Sequence, residues 1–303
     1  MARTSRQIKP AQRVLTYTFT PSSGAATVDI DLAKDLSAVN RRLYRQGMQY
    51  YVSHVSLARG DTGISAMSVK TAGDTWMVHN AWKKGFKLWR SQLNEVEDVM
   101  PGLQGKWSDF KVELDDNSGT ALTSIAGDGG AISPDEWNYS NYVWDDDGTE
   151  RSPTFCLLGS TAVNTKIGLV QEYHISRAQV QSEPALVADA SDSIFAKSLG
   201  TDEMSDTLID LVETESDNAP YDMNEMVGGD TVADAPFTQD FIVANFQAGR
   251  AMTTGFTAEC GLMRVEVASV NADASGASDV AHIIQVHLAP GPYKGVMASP
   301  MGQ

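Results

Sequence analysis

Four carboxylates crowd the stretch WDDDGTE at 144–150: Asp145, Asp146, Asp147 and Glu150. Oxygen ligands this dense are the chemistry of a hard cation, and Ca²⁺ is the ion they suit. The spacing is not the alternating D-x-D-x-D-G of an EF-hand. A solvated acidic loop is therefore the competing reading, as it is for LDDNSG at 114–119. Cationic side chains gather elsewhere. Arg3, Arg6, Lys9 and Arg13 lie on an N-terminal stretch with nothing apolar enough to fold. Arg41, Arg42 and Arg45 flank Tyr44, an aromatic ring able to stack on a base. These seven cations could neutralise phosphates, and binding of that kind weakens as salt rises. A third basic group, Lys83, Lys84, Lys87 and Arg90, runs through an aromatic segment, DTWMVHNAWKKGFKLWRSQ at 74–92.

Nucleophilic and metal-hydrolytic chemistry finds no such footing. There is no G-x-S-x-G, no Walker sequence, no H-E-x-x-H and no C-x-x-C. The five histidines are scattered, and His282 and His287 fall on opposite faces of a strand, which argues against a shared metal. His54 and His174 are expected in strands as satisfied structural groups. Paired carboxylates of the glycosidase kind cannot be picked out without geometry. The two cysteines, Cys156 and Cys260, sit in apolar contexts that favour buried free thiols over a bridge. The chain is not expected to be an enzyme.

The elements that must position these residues are mostly strands. RVLTYTF (13–19), QYYVSHVSLA (49–58), DFKVEL (109–114), TFCLLG (154–159), IGLVQEYHI (167–175), LMRVEVASV (262–270) and AHIIQVHLA (281–289) are rich in β-branched and aromatic residues. Gly, Asp, Asn and Ser clusters separate them. Three segments carry helical spacing instead. Leu32, Leu36, Val39 and Leu43 follow Asp29 and Asp31, either of which could cap a helix. Met204, Leu208 and Leu211 repeat similarly in an acidic stretch. Trp82, Phe86, Trp89, Leu93, Val96 and Met100 recur at intervals of three and four, and Pro101 stops the helix. That stripe is explained by core burial. Its basic companions are not, because like charges three and four apart repel and the bases precede the acids Glu95, Glu97 and Asp98, against the helix dipole.

Spaced strands with long connections predict a mainly β sandwich, jelly roll or barrel. The expected organisation is a basic arm over 1–13, one domain over 14–289 with a long acidic loop region near 183–238, and an extended C-terminal arm over 290–303. No apolar run reaches the length of a membrane helix, and no apolar core follows the basic start, so neither a membrane partner nor a secretory signal is expected. The net charge of −16 is unevenly spread. Residues 1–110 hold 15 Lys and Arg against 9 Asp and Glu, whereas 111–303 hold 8 against 30. The split points either to two differently employed surfaces or simply to an acidic protein kept dispersed by its charge.

Several stretches together resemble one family: DLSAVNRRLYRQGMQYYVSHVSL (35–57), SVKTAGDTWMVHNAWKKGFKLW (68–89), GKWSDFKVELD (105–115), EWNYSNYV (136–143), CLLG (156–159), GLVQEYHISRAQV (168–180), GGDTVADAPF (228–237) and ECGLMRVEV (259–267). The set is similar to capsid proteins of small circular Rep-encoding single-stranded DNA viruses. That resemblance implies a viral jelly roll of two four-stranded antiparallel sheets with inserted helices and long loops. It implies self-assembly into an icosahedral shell of roughly 60 or more copies around a single-stranded DNA genome, hence a virion location after assembly inside the host cell. A host receptor is a further implied partner. The basic first third would face the genome and the acidic remainder the exterior. The arm departs from the arginine-rich arms of many such capsids in carrying four basic residues. Lys83, Lys84, Lys87 and Arg90 would then contact an acidic loop of a neighbouring subunit. Two other readings compete. One is a carbohydrate- or receptor-binding jelly-roll module using Trp107, Trp137 and Trp144 as a sugar platform; the other is a β-sandwich glycoside hydrolase.

Overall fold

The computed structural model describes residues 10–22, 24–60, 64–102, 105–116, 120–121, 137–146, 149–159, 165–178, 244–247, 250–270 and 279–302. Its centre is a pair of sheets. The first is built on β3 (Met48–Arg59), β14 (His282–Leu288) and β1 (Val14–Phe19), paired antiparallel in the order β1-β14-β3. β11 (Arg250–Met252), β12 (Phe256–Ala258) and β17 (Ala298–Pro300) also pair with β3. The second runs β10 (Ala244–Gln247), β4 (Ile64–Lys70), β13 (Leu262–Val270), β2 (Ala25–Asp31), β5 (Thr120–Ala121). β1 to β4 alternate between the two sheets, as do β13 and β14.

Period-two alternation explains the packing. In β1, Leu15 and Tyr17 turn inward; in β14, Ile284 and Val286; in β2, Val28 and Ile30; in β4, Met67 and Val69; in β13, Val265 and Val267. All ten belong to one buried cluster lying between the sheets, the arrangement of a β-sandwich. A fully buried side chain of this size contributes about 1.5–3 kcal/mol by transfer from water, so the sandwich needs no metal or disulfide.

A second core lies beside the sandwich. Helix α2 (Trp76–Val99) starts at Thr75, whose hydroxyl accepts from the Val78 N–H, and places Met77, Val78, Ala81 and Trp82 in it. Trp82 stacks on Phe86 at 5.3 Å, and Phe110 meets Trp82, Phe86, Trp89 and Phe155. The aromatic part of the stripe, Trp82, Phe86 and Trp89, thus packs in this core as its spacing predicts, whereas Val96 and Met100 at its far end are exposed. That aromatic part packs on the 105–116 and 154–170 segments.

Four expectations are corrected. Residues 167–175 are not a strand: only β9 (Lys166–Gly168), parallel to β8 (Thr154–Cys156), is extended, and α3 (Leu169–Ala178) follows, so His174 is helical. Leu169, Val170 and Tyr173 share a face that α2 covers, and Gly85 makes room for it, since a Cβ there would lie 2.6 Å from Leu169 Cδ2. Residues 109–114 form no strand of either sheet. They are held by single bonds, Glu113 N–H to Phe155 O and Leu157 N–H to Glu113 O. TFCLLG is extended only as far as Cys156. The C-terminal segment is no loose arm: β15 (Pro290–Gly291) pairs β16 (Gly295–Val296), β17 pairs β3, and Met301 is buried in the second core. Between them, β6 (Trp144–Asp146) and β7 (Thr149–Arg151) form a hairpin. Met204, Leu208, Leu211 and the 183–238 region lie outside the described residues.

Candidate functional surfaces

The first basic surface is built by the end of α1 (Leu32–Asn40). Asp31 caps its start, accepting from the Lys34 N–H at 3.0 Å, and Arg41 ends it in the left-handed region at φ 54°. The following turn is locked from inside. Tyr44 N–H donates to Ser37 Oγ at 2.8 Å, Tyr44 Oη donates to Lys294 O at 2.9 Å, and Tyr50 Oη donates to Arg45 O at 2.7 Å. Tyr44 is therefore fully buried, which corrects its reading as a base-stacking platform. Its burial pushes Arg41, Arg42 and Arg45 outward, all exposed. The chain entering β1 arrives at the same place. Gln12 N–H donates to Asn40 Oδ1 at 2.8 Å, and Asn40 Nδ2 donates back to Gln12 O at 3.1 Å. Half-buried Arg13 follows directly.

Of the seven expected phosphate-binding residues, Arg41, Arg42 and Arg45 thus lie on one turn, and the Gln12–Asn40 contact brings the chain at Arg13 up to it. Arg3, Arg6 and Lys9 lie outside the described residues. A fifth cation, Lys294, was not legible: it comes from the far end of the chain, donates to Leu43 O, and lies 5.3 and 5.7 Å from the Tyr293 and Tyr44 ring centroids. Burial lowers its pKa, and the charges of Arg45 and Arg42 lower it further, the signature of a local excess of positive charge. Asp109 offsets that excess only in part, lying 3.9 Å from Arg45. Contacts from such cations to phosphates, where they form, position a nucleic acid and carry no sequence information.

The second basic surface is α2. Lys83, Lys84 and Lys87 are exposed and Arg90 half-buried. Lys84 leans over the Tyr173 ring at 5.8 Å and draws down the pKa of Glu172, which burial raises more strongly. So α3 supplies part of the acidic compensation that the helix itself lacks.

The proposed Ca²⁺ loop is a hairpin in which Asp145 stands opposite Glu150 and Asp146 opposite Thr149; Asp147 lies outside the described residues. Among the described residues, one group brings three ligating side chains close enough to share a cation: Asp74, His79 and buried Glu259. The His79 ring is already committed. Its Nδ1 accepts from the Gly302 N–H at 2.9 Å, which assigns the proton to Nε2. Nε2 lies 3.0 Å from Asp74 Oδ1, an electrostatic contact that does not make a hydrogen bond. With its one lone pair, on Nδ1, accepting from Gly302, the imidazole has none for a metal unless it releases the chain end. Glu259 is held by Gln49 Nε2 at 2.9 Å, and burial pushes its pKa up. Of the three, His79 holds the chain end, through the Gly302 N–H.

The remaining sequence candidates resolve into structural roles. Trp107 is exposed, but Trp137 donates its indole N–H to Asp31 Oδ2 at 3.0 Å and carries the Lys111 ammonium 4.3 Å from its ring, so it is no open sugar platform. Cys156 and Cys260 are buried free thiols, and burial pushes Cys156 up to about 12, far from nucleophilic. His54 and His287 face each other across β3 and β14 with ring centroids 4.1 Å apart. No helix among the described residues is long and apolar enough to cross a membrane.

No protein-family model, no curated protein and no solved structure matches this chain at a significant level.

Proposed function

We propose that this chain is a jelly-roll capsid subunit, which assembles into an icosahedral shell around a single-stranded DNA genome and acts as part of the virion rather than as an enzyme. The observation that carries the reading is the strand order. Taking β1, β2, β3, β4, β10, β11, β13 and β14 as strands one to eight, the sheets run 1-8-3-6 and 5-4-7-2. That interleaving of first with last and second with seventh supports a double Greek key of the jelly-roll kind, an architecture used by capsid and lectin domains. Fold alone does not assign function. The surfaces add weight: the arm enters beside Arg13, Arg41, Arg42, Arg45 and Lys294, so phosphate-binding charge is concentrated where a genome-facing arm would leave the domain.

The test is light scattering and negative-stain microscopy on the purified full chain across salt and pH, without and then with genome-length single-stranded DNA. Closed particles of uniform size support the reading. Failure to form particles in either condition overturns it, and glycan binding by the monomer would transfer the jelly roll to a carbohydrate-recognition role.

A further inference from the structure

One stripe of α2 has a property that neither burial nor helix stability requires. Lys84, Lys87, Ser91, Glu95 and Asp98 are all exposed. They follow one another at steps of three, four, four and three, so they form a single row along the helix. The spacing is symmetric about Ser91, and the charges are antisymmetric about it: two cations before, two anions after. α3 covers only the first part of α2, with Leu169 at Gly85 and Tyr173 at Trp76 and Lys84. Beyond it Leu88, Val96, Val99 and Met100 are exposed, Val99 at 80 % and Met100 at 58 %. Lys87, Glu95 and Asp98 are in no ion pair with a described residue.

The geometry points to an isologous contact in which α2 of one copy lies antiparallel on α2 of a second copy, crossing at Ser91. A two-fold axis there sets Lys87 against Glu95 of the partner subunit and Lys84 against Asp98 of the partner subunit, each pair occurring twice. The arrangement that is unfavourable within one helix, with bases early and acids late, becomes complementary between two antiparallel ones. Exposed Leu88 and Val99 border the row and supply apolar contact at its edge. The small Ser91 lets the helices approach at the axis. This inference rests on the reading that copies of the chain associate, but it needs neither DNA nor a closed shell.

The test uses cysteine placement, which the burial of Cys156 and Cys260 keeps free of background. Ser91→Cys should form an intermolecular disulfide on mild oxidation of the full chain. Lys87→Cys alone should not, because the two copies of that residue would stand about 12 Å apart along the axis at 1.5 Å per residue, beyond disulfide reach. Lys87→Cys mixed with Glu95→Cys should cross-link to heterodimers. In sedimentation velocity, Lys87→Glu and Glu95→Lys should each weaken the dimer by roughly tenfold, and the double swap should restore it. All are surface positions, so unchanged melting temperatures control for folding. Cross-linking of Lys87→Cys with itself, or a swap that restores nothing, overturns the antiparallel contact even if shells form. Cross-linked dimers without any shell leave it standing and count against the capsid reading instead. A monomer that fails to cross-link at Ser91→Cys under every condition overturns it outright.

Discussion

Charge is used in opposite ways at Arg264 and on α2. Arg264, near the start of β13, is buried and forked: Nε and Nη2 donate to Asp29 at 2.7 and 3.0 Å, and Nη1 and Nη2 donate to Asp115 at 2.8 and 2.9 Å. Asp115 has no exposure at all. Every guanidinium nitrogen has a partner within the chain, so the group ties β13 to β2 and to the 105–116 segment. On α2, Lys87, Glu95 and Asp98 stand in solvent with no described partner. Saturated charges hold a fold; unsaturated charges arranged in a pattern are available for a partner.

The largest break of that contrast is Arg264→Leu. It leaves two carboxylates in a poorly hydrated site, where burial already raises the pKa of Asp115 against the pull of Arg264. Removing one member of a buried ionic group costs about 3–5 kcal/mol, which a shift of the urea midpoint would register. Replacing Arg264, Asp29 and Asp115 together by apolar residues should recover most of that loss. A cost below 1 kcal/mol for the single change, on the scale expected of an exposed pair, would show that the group is solvated and erase the distinction.

Next in size is the seam between the two helices. Gly85→Ala gains helix propensity of about 1 kcal/mol, but its Cβ would stand 2.6 Å from Leu169 Cδ2. Overpacking of this kind costs about 1–3 kcal/mol, so the clash wins and the variant should be destabilised. Stabilisation would mean that α3 packs less closely on α2 than the aromatic contacts indicate.

The same seam marks where the sequence stopped being legible. β1, β3, β13 and β14 were readable because branched and aromatic residues mark them, and α1 because Asp31 precedes its apolar row. β2 and β4 escaped: AATVDID and ISAMSVK contain small and polar residues, and only two positions in each carry the inward apolar pattern. IGLVQEYHI contains β-branched and aromatic residues suited to a strand. Its apolar residues also fit a helix at three and four, and α2 decides in favour of the helix. The arginines of the first basic surface were visible, whereas their convergence with Lys294 depended on a chain end read as free. The row on α2 was visible only as misplaced charge. Its symmetry has meaning once burial shows which residues remain outside.

A smaller effect concerns the stacked pair His54 and His287. Burial lowers the pKa of His287 from its ordinary 6.5, and His54 and Arg250 lower it further. Above that ordinary value both the folded and unfolded chains hold the ring neutral, so it contributes nothing. As pH falls through 6.5 the unfolded chain takes up the proton first, so stability declines and the penalty is complete only below the depressed folded value. Thermal melts from pH 7.5 to 5 should show this decline, and His287→Gln should flatten it. An unchanged slope would assign the acid sensitivity to another group.

The smallest effect on folding is the most informative about the surfaces. Lys87→Ala removes an exposed cation from a helix where Lys83, Lys84 and Arg90 repel it. Its stability should move by no more than about 0.5 kcal/mol, the range of surface substitutions, and the relief of repulsion favours the variant. Arg42→Ala should be equally silent in a melt. The two then separate by what they fail to bind. Arg42→Ala should reduce the salt slope of single-stranded DNA binding by about 0.7, the share of one phosphate contact, and leave self-association intact. Lys87→Ala should weaken self-association and leave the DNA slope unchanged. If each variant disturbs both measurements equally, the two basic surfaces are one continuous field, and the division of labour between the end of α1 and the face of α2 is wrong.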